Sequence, residues 1–171
     1  MKKLQQKIVL LVIGLNAFSL IVFSQNLTNP TEKNSEAINI TIKQNLQFGV
    51  FSQGAGGGTI IISPEGSRSV TGAILPLNFG LNYFQSVLEV EAPQGSIISI
   101  INGPDAVLTG SNGGTMTLQI GKSNPVSPFY LSLGPPAKTA LNIGGTLIVG
   151  NTSVSPPGTY SGNFYISFIL E

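Results

Sequence analysis

The sequence predicts an all-β protein built as an antiparallel sandwich of two sheets. From residue 37 onward, short apolar stretches alternate with clusters of Gly, Pro and Asn, at the roughly 8–12-residue spacing of sandwich strands. No segment of this region carries the 3.6-residue apolar period of an amphipathic helix. The chain's 21 glycines and 11 prolines are abundant enough to supply the turns between so many short strands.

The first 24 residues have the pattern of a secretory signal peptide. Lys2, Lys3 and Lys7 precede an uncharged apolar run that extends to Phe23 and is followed by small and polar residues. The run is shorter than the ~20 apolar residues that a membrane span needs. We therefore expect cleavage after residue 24, export to the periplasm or cell surface, and no stable membrane span after cleavage.

A polar leader over residues 25–36, with Asn29-Pro30 as a breaker of regular structure, precedes the predicted single sandwich domain at 37–171. Three of the eight basic residues lie in the signal peptide, so the mature chain has five basic against seven acidic residues, a net charge of −2. Because a nucleic-acid partner requires a basic surface, we expect no nucleic-acid binding. The chain has no cysteine and hence neither disulfides nor a lipidated N-terminus.

Nine strands follow from the apolar alternation and the turn residues. They are predicted at residues 37–42, 46–51, 59–63, 69–75, 86–92, 96–101, 115–120, 146–149 and 159–170. Alternate residues of a strand share one face of the sheet. The isoleucines of the first strand and the apolar residues at 164, 166, 168 and 170 of the last are therefore expected to meet in the core.

Three Gly-Gly-Thr triplets, at residues 57–59, 113–115 and 144–146, each precede an apolar stretch. We interpret each as a turn in which glycine supplies a positive φ, followed by a β-branched strand start. The alternative, a phosphate-binding loop, requires a following helix and usually a lysine at fixed spacing. The sequence predicts neither, so the triplets are interpreted as turns.

The sequence predicts no enzyme, no cofactor and no metal site. It contains no histidine and no cysteine, and Asp105 is its one aspartate, which excludes Ser-His-Asp, Cys-His and His-rich metal arrangements. Glu89 and Glu91 are expected on one strand face roughly 7 Å apart, a separation also found between the acids of inverting glycosidases. An alternating, half-buried strand produces such a solvent-facing pair by default, and we favour that interpretation.

A set of motifs in a fixed order resembles one family of bacterial secreted proteins, the domain of unknown function numbered 4402, over about residues 40–171. The motifs are Leu46-Gln47-Phe48-Gly49, Gly57-Gly58-Thr59 with Pro64-Glu65-Gly66-Ser67-Arg68, Gly144-Gly145-Thr146-Leu147 and Gly158-Thr159-Tyr160-Ser161-Gly162. That family is similar to spore coat protein U and to fimbrial-subunit domains, which are Ig-like sandwiches of the bacterial surface. The resemblance implies an Ig-like or pilin-like sandwich and no catalytic residues.

The isoleucines at 38, 40 and 42 are the candidate assembly residues. Subunits of chaperone-assembled pili donate an alternating apolar N-terminal strand to a neighbour and usually carry a disulfide. This chain has no cysteine, and its residues 28–36 are mostly polar. Ile38, Ile40 and Ile42 therefore offer two alternatives, a donated strand or the domain's own first strand, and we favour the latter.

Carbohydrate binding is the alternative function, because sandwiches present sugar sites as aromatic platforms. The sequence has no tryptophan, and Tyr165 is the candidate expected to point away from the Phe164 face, on the same side as Ser167. Tyr160, within the strand-opening motif Gly158–Gly162, is expected at a corner of the sandwich with its hydroxyl bonded to the backbone.

Together these features predict an exported, non-enzymatic structural or adhesive protein of the periplasm or cell surface, in form a fimbrial-like subunit. Its expected partners are other surface or periplasmic proteins or further copies of itself. A carbohydrate-binding module with a glycan partner is the alternative.

Overall fold

A computed structural model describes residues 37–80 and 82–171, and this part of the chain consists of β-strands without helices. The predicted signal peptide and leader lie outside the described residues. The strands are β1 (Asn39–Gln44), β2 (Val50–Ile62), β3 (Arg68–Leu77), β4 (Ser86–Glu91), β5 (Ile97–Asn102), β6 (Ala106–Gly110), β7 (Thr115–Asn124), β8 (Phe129–Tyr130), β9 (Thr139–Val149), β10 (Tyr160–Ser161) and β11 (Ile166–Leu170). The all-β prediction is confirmed.

The strands form a large sheet and a small sheet, and all strand pairings are antiparallel. The large sheet has the order β1-β4-β9-β7-β6-β10, with the β2–β3 hairpin also attached to β9. The small sheet has the order β11-β5-β8. β9 is the central strand, because one of its edges pairs with β4 as far as Ile143 and then with β2 from Gly145, while its other edge pairs with β7.

Two apolar clusters form the core of the sandwich. The first, the β11-side cluster, joins the small sheet to β1, β4 and β9; its buried members are Leu88, Val90, Ala92, Ile98, Phe129, Leu131, Leu141 and Ile143. The second, the β6-side cluster, lies on the other half of the large sheet; its buried members are Ile60, Ile74, Ala106, Leu108, Met116, Leu118, Leu147 and Val149. Partly buried residues of loops and strands pack against the β6-side cluster, among them Leu46, Phe48 and Phe164.

Two of the three predicted Gly-Gly turns are wrong. Gly57-Gly58 lies inside β2, where the pairing with β3 shifts register, and Gly144-Gly145 lies inside β9. A Cβ added at Gly144 would stand 2.3 Å from the carbonyl oxygen of Ile62, at the point where β9 changes partner from β4 to β2. Glycine is needed there for close approach of two backbones and not for a turn. At Gly113-Gly114 both residues have positive φ, 81° and 73°, and the turn is confirmed.

The predicted C-terminal strand over 159–170 is two strands in different sheets. β10 pairs with β6 in the large sheet, and β11 pairs with β5 in the small sheet. At Gly162, between them, an added Cβ would lie 2.7 Å from the carbonyl oxygen of Val107. The chain crosses from one sheet to the other at this glycine, and this crossing forms one side of the candidate site.

Candidate functional site

An open apolar groove of about 1200 Å³ runs along one side of the sandwich. The first wall is formed by residues 45–53 with two side chains of β1, Ile40 and Ile42, and the second wall by residues 156–166 and Phe168. Its floor includes residues of the β6-side cluster: Leu108, Met116, Leu118 and Leu147. Among the described residues, no charged side chain lines this groove.

Arg68 holds the first wall in place. Its Nη1 donates hydrogen bonds to the carbonyl oxygens of Phe48, at 3.1 Å, and Val50, at 3.4 Å. Its guanidinium carbon lies 4.3 Å from the centre of the Tyr83 ring, within cation–π range. The Gln47–Phe84 bridge fixes the same segment with backbone bonds of 2.8 Å in both directions. Residues 45–49 therefore keep a defined position although, of these five, only Gln47 forms a β-bridge.

The second wall depends on Ser155, a fully buried polar side chain with 0 % exposure. Its Oγ donates to the Thr115 carbonyl at 2.6 Å and accepts from the Gly150 backbone N–H at 3.1 Å. Its own carbonyl accepts from Gln53 Nε2 at 2.6 Å, which links this wall to the start of β2. Beyond it, the Tyr160 hydroxyl donates to a carbonyl of the same loop, and its ring packs against the β6-side cluster.

Replacing Ser155 with alanine is expected to lower the free energy of unfolding by about 1–2 kcal/mol, because two partly buried hydrogen bonds, to the backbone of Thr115 and Gly150, are lost. Urea denaturation of the two proteins measures this difference. Ser153→Ala is the matched control, since Ser153 is exposed and its side chain forms no hydrogen bond within the described residues. Equal unfolding midpoints for the two variants would contradict the role given to Ser155.

β11 lies at the edge of the small sheet with one side of its backbone unpaired by any described strand. The Tyr165 carbonyl accepts from Gly103 N at 2.9 Å, and Glu171 exchanges both backbone bonds with Ile97. In an antiparallel pair the bonded residues alternate, so the backbone groups of residues 166, 168 and 170 point away from β5. The groove borders this edge, since residues of both faces of the strand line it, Ile166 and Phe168 on one face and Tyr165 on the other.

The inward side chains of this edge strand are only half-buried. Ile166, Phe168 and Leu170 pack against the β11-side cluster, and Phe164 packs against the β6-side cluster, yet none of the four is fully buried. A sandwich with a strand on each side of these residues would cover them. The groove is therefore an apolar surface beside a free strand edge.

Two of the three predicted assembly residues, Ile40 and Ile42, lie in the domain's first strand, β1, and Ile38 directly precedes it. Ile40 is opposite Val90 and Ile42 is opposite Leu88 in the β1–β4 pairing. Ile38 and Ile40 pack against the β11-side cluster, whereas Ile42 is 65 % exposed and lines the groove together with Ile40.

Tyr165, the predicted sugar-platform residue, is 74 % exposed and borders the groove. The residues that share its face of the small sheet include the exposed Ile101 and Ile169 and, on the far strand, Tyr130. Tyr165 therefore lies on a largely aliphatic face of the small sheet.

Glu89 of the predicted carboxylate pair lies between two lysines. Its Oε2 is 3.3 Å from Lys43 Nζ and 3.2 Å from Lys138 Nζ. Burial raises the pKa of this carboxyl, but the hydrogen bonds and charges of Lys138 and Lys43 outweigh it, and the pKa lies below its ordinary value of 4.5. Glu91 forms no ion pair within the described residues. The two acids therefore have different surroundings, and Glu89 has a structural role in joining β1 to β4.

Because the folded-state pKa of Glu89 is lowered, its contribution to stability is present above the unfolded-state pKa and disappears as the pH falls through the lower folded-state value. Glu89→Gln should therefore melt at a lower temperature than the unchanged protein at pH 7, and the difference should be smaller at an acidic pH below the ordinary value of 4.5. Melting curves at both pH values test this. Glu91→Gln serves as the control and should leave the pH 7 melting temperature unchanged. A pH-independent effect of Glu89→Gln would contradict the ion-pair explanation.

The described residues contain no group of three or more His, Cys, Asp or Glu side chains placed to hold a metal ion. Over the same part of the chain, the structure contains no helix of the length and apolarity required to cross a membrane.

A family model described as Domain of unknown function (DUF4402) matches residues 38–169. The match extends from the residue before β1 almost to the end of β11 and includes both walls of the groove. No curated protein and no solved structure matches the chain. By its sequence the chain belongs to the DUF4402 family.

Proposed function

We propose that this protein is an exported, non-enzymatic structural or adhesive component of the periplasm or bacterial surface, in form a fimbrial-like subunit held in place by other proteins. The observation that supports the proposal best is the apolar groove beside the free edge of β11. Exposed apolar surface of this extent and unpaired strand edges are features through which proteins associate. The resemblance to spore coat protein U and fimbrial domains is part of the same proposal.

A protein partner fits this groove better than a small-molecule substrate does. Its volume of about 1200 Å³ exceeds the roughly 300–1,000 Å³ of typical ligand pockets. The described lining contains uncharged polar side chains, such as Gln47, Asn82 and Asn163, but no charged side chain that could pair with a charged substrate. The titratable groups with the strongest mutual contacts, Glu89 with its two lysines, do not line the groove.

Cell fractionation and immunogold labelling with an antibody to the folded domain test this function. The proposal predicts that residues 1–24 are cleaved off on export. The mature protein should be recovered in a high-mass assembly on the surface or in the periplasm. A deletion of residues 2–24 is the control and should keep the protein inside the cell. Recovery of the unaltered protein as a cytoplasmic monomer would contradict the proposal.

A carbohydrate-binding module is the second candidate, and the specific observation that favours it is the 74 % exposure of Tyr165. A glycan array with the purified protein tests it. Saturable binding that a free sugar competes with, and that Tyr165→Ala abolishes while Tyr130→Ala retains, would support this function in place of the structural one. An array without binding would leave the structural proposal preferred.

A further inference from the structure

We propose that the groove receives a single extended segment of a different polypeptide, which pairs with the free edge of β11 as an added strand. This inference rests on the proposed function and specifies the partner at the same site. The occupant is uncharged where it faces the groove and carries apolar side chains at alternate positions.

The backbone of β11 provides the first argument. The N–H and C=O groups of Ile166, Phe168 and Leu170 point away from β5, and no described strand pairs with them. Backbone groups beside an apolar surface are costly unless they are hydrogen-bonded. A β-strand satisfies a row of such groups with its own backbone, whereas an acyl chain or other hydrocarbon ligand cannot.

The walls and floor provide the second argument. The floor consists of side chains of the β6-side cluster, such as Leu118 and Leu147, while the mouth is open to solvent. A strand inserted between the walls places alternate side chains on the floor and the others toward water. The absence of charged residues from the described lining means that a charged side chain directed at the floor would find no counter-ion.

The chain's own sequence provides the third argument, because it leaves no suitable free segment. Residues 25–36 contain one large apolar side chain, Leu27, together with Pro30 and charges at 32, 33 and 36. In the alternating segment of isoleucines, Ile40 and Ile42 already pair with β4, and Ile38 and Ile40 pack on the core. The apolar run before Ser24 is continuous instead of alternating, and it belongs to the predicted signal peptide. The occupant must therefore come from another polypeptide.

Hydrogen exchange of the exported protein, measured residue by residue, tests the proposal with three probes. The first is an uncharged peptide of about nine residues in which Ile and Val alternate with Thr and Asn, long enough to extend past both ends of β11. The second is the same peptide with every second backbone nitrogen methylated, and the third is a long-chain fatty acid. We expect the first probe alone to slow exchange at Ile166, Phe168 and Leu170 at least tenfold. Equal protection by the methylated peptide or the fatty acid, or no protection by any probe, would overturn the inference.

A matched pair of variants assigns the binding to the groove side of β11. Ile166→Thr replaces a groove-lining side chain, and Ile169→Thr makes the same change on the opposite face. Both keep a β-branched residue in the strand. The first should weaken peptide binding at least tenfold and the second should leave it unchanged, with circular dichroism checking that both fold. Equal peptide affinities of the Ile166→Thr and Ile169→Thr proteins would overturn the inference.

The source of the strand is tested separately by removing residues 25–36. Exchange at the β11 amides that is slow in the exported protein and becomes fast on this deletion would make the leader the occupant and overturn the assignment to another polypeptide. Exchange at the β11 amides that stays slow after the deletion would support the assignment to another polypeptide. Failure of these binding tests leaves the localisation experiment unaffected, so the failure of this inference and that of the proposed function are distinguishable.

Discussion

Replacing Gly144 with alanine is expected to reduce the free energy of unfolding by about 3 kcal/mol or more, since an overpacked methyl group here meets backbone that cannot move aside. The added Cβ would lie 2.3 Å from the Ile62 carbonyl oxygen and 3.1 Å from the Pro64 nitrogen. Both contacts are at the point where β9 changes its pairing from β4 to β2. Urea denaturation followed by circular dichroism measures the loss.

Gly56→Ala is the matched control for this prediction. Gly56 is an exposed residue of β2, and an added Cβ there would have no neighbour within 4 Å. Its substitution should change the unfolding free energy by less than about 1 kcal/mol, in either direction. A Gly144→Ala protein as stable as this control would show that the central strand tolerates a side chain at the junction, contrary to the geometry described above.

Replacing Arg68 with alanine is expected to cost about 2–3 kcal/mol and to loosen the first wall of the groove, because it removes two charge-assisted hydrogen bonds and leaves both carbonyls without that partner. The carbonyls belong to Phe48 and Val50, and the stacking on Tyr83 is lost with them. Faster hydrogen exchange at residues 47–50, together with a lower unfolding midpoint, is the expected result.

Two further variants separate this role of Arg68 from a general effect of charge. Arg68→Lys keeps the charge but lacks the planar fork, so it should restore only part of the stability. Lys122→Ala removes an exposed lysine without an ion pair in the described residues and should have little effect. Full stability of the Arg68→Lys protein, or an equal loss of stability in Lys122→Ala, would contradict this role of Arg68.

The fold class could be predicted from the sequence because alternation is a local property. The apolar residues at 164, 166, 168 and 170 indicated the inner face of the last strand, and these residues do pack on the core clusters. The glycine pairs could not be interpreted in the same way. Gly113-Gly114 and Gly144-Gly145 precede the same residue type, yet the first pair forms a turn and the second lies inside β9. Gly144 closely approaches the backbone of Ile62, a residue distant in sequence, and a local pattern does not show such a contact.

The groove could not be predicted from the sequence, because it depends on which strands are neighbours. Alternation defines the faces of a strand but not the strand beside it. The break at Gly162 places β10 and β11 in different sheets and leaves β11 without a second neighbour in the described part of the chain. One local signal was present: Gly162 and Asn163 interrupt the apolar alternation before Phe164. Residues 46–51 were predicted as a strand; only Val50 and Phe51 of them lie in one, at the start of β2, and the position of the segment as a groove wall was missed.

Thiol labelling of a single introduced cysteine tests most directly whether a strand fills the groove in the surface assembly. The natural chain has no cysteine, so Ile166→Cys provides one reactive group in the groove and Ile169→Cys provides one on the opposite face. In the purified monomer both thiols should react with a maleimide reagent. In the surface assembly, the thiol at position 166 should be protected and the thiol at 169 should remain reactive. Equal reactivity of position 166 in monomer and assembly would contradict strand insertion in this groove.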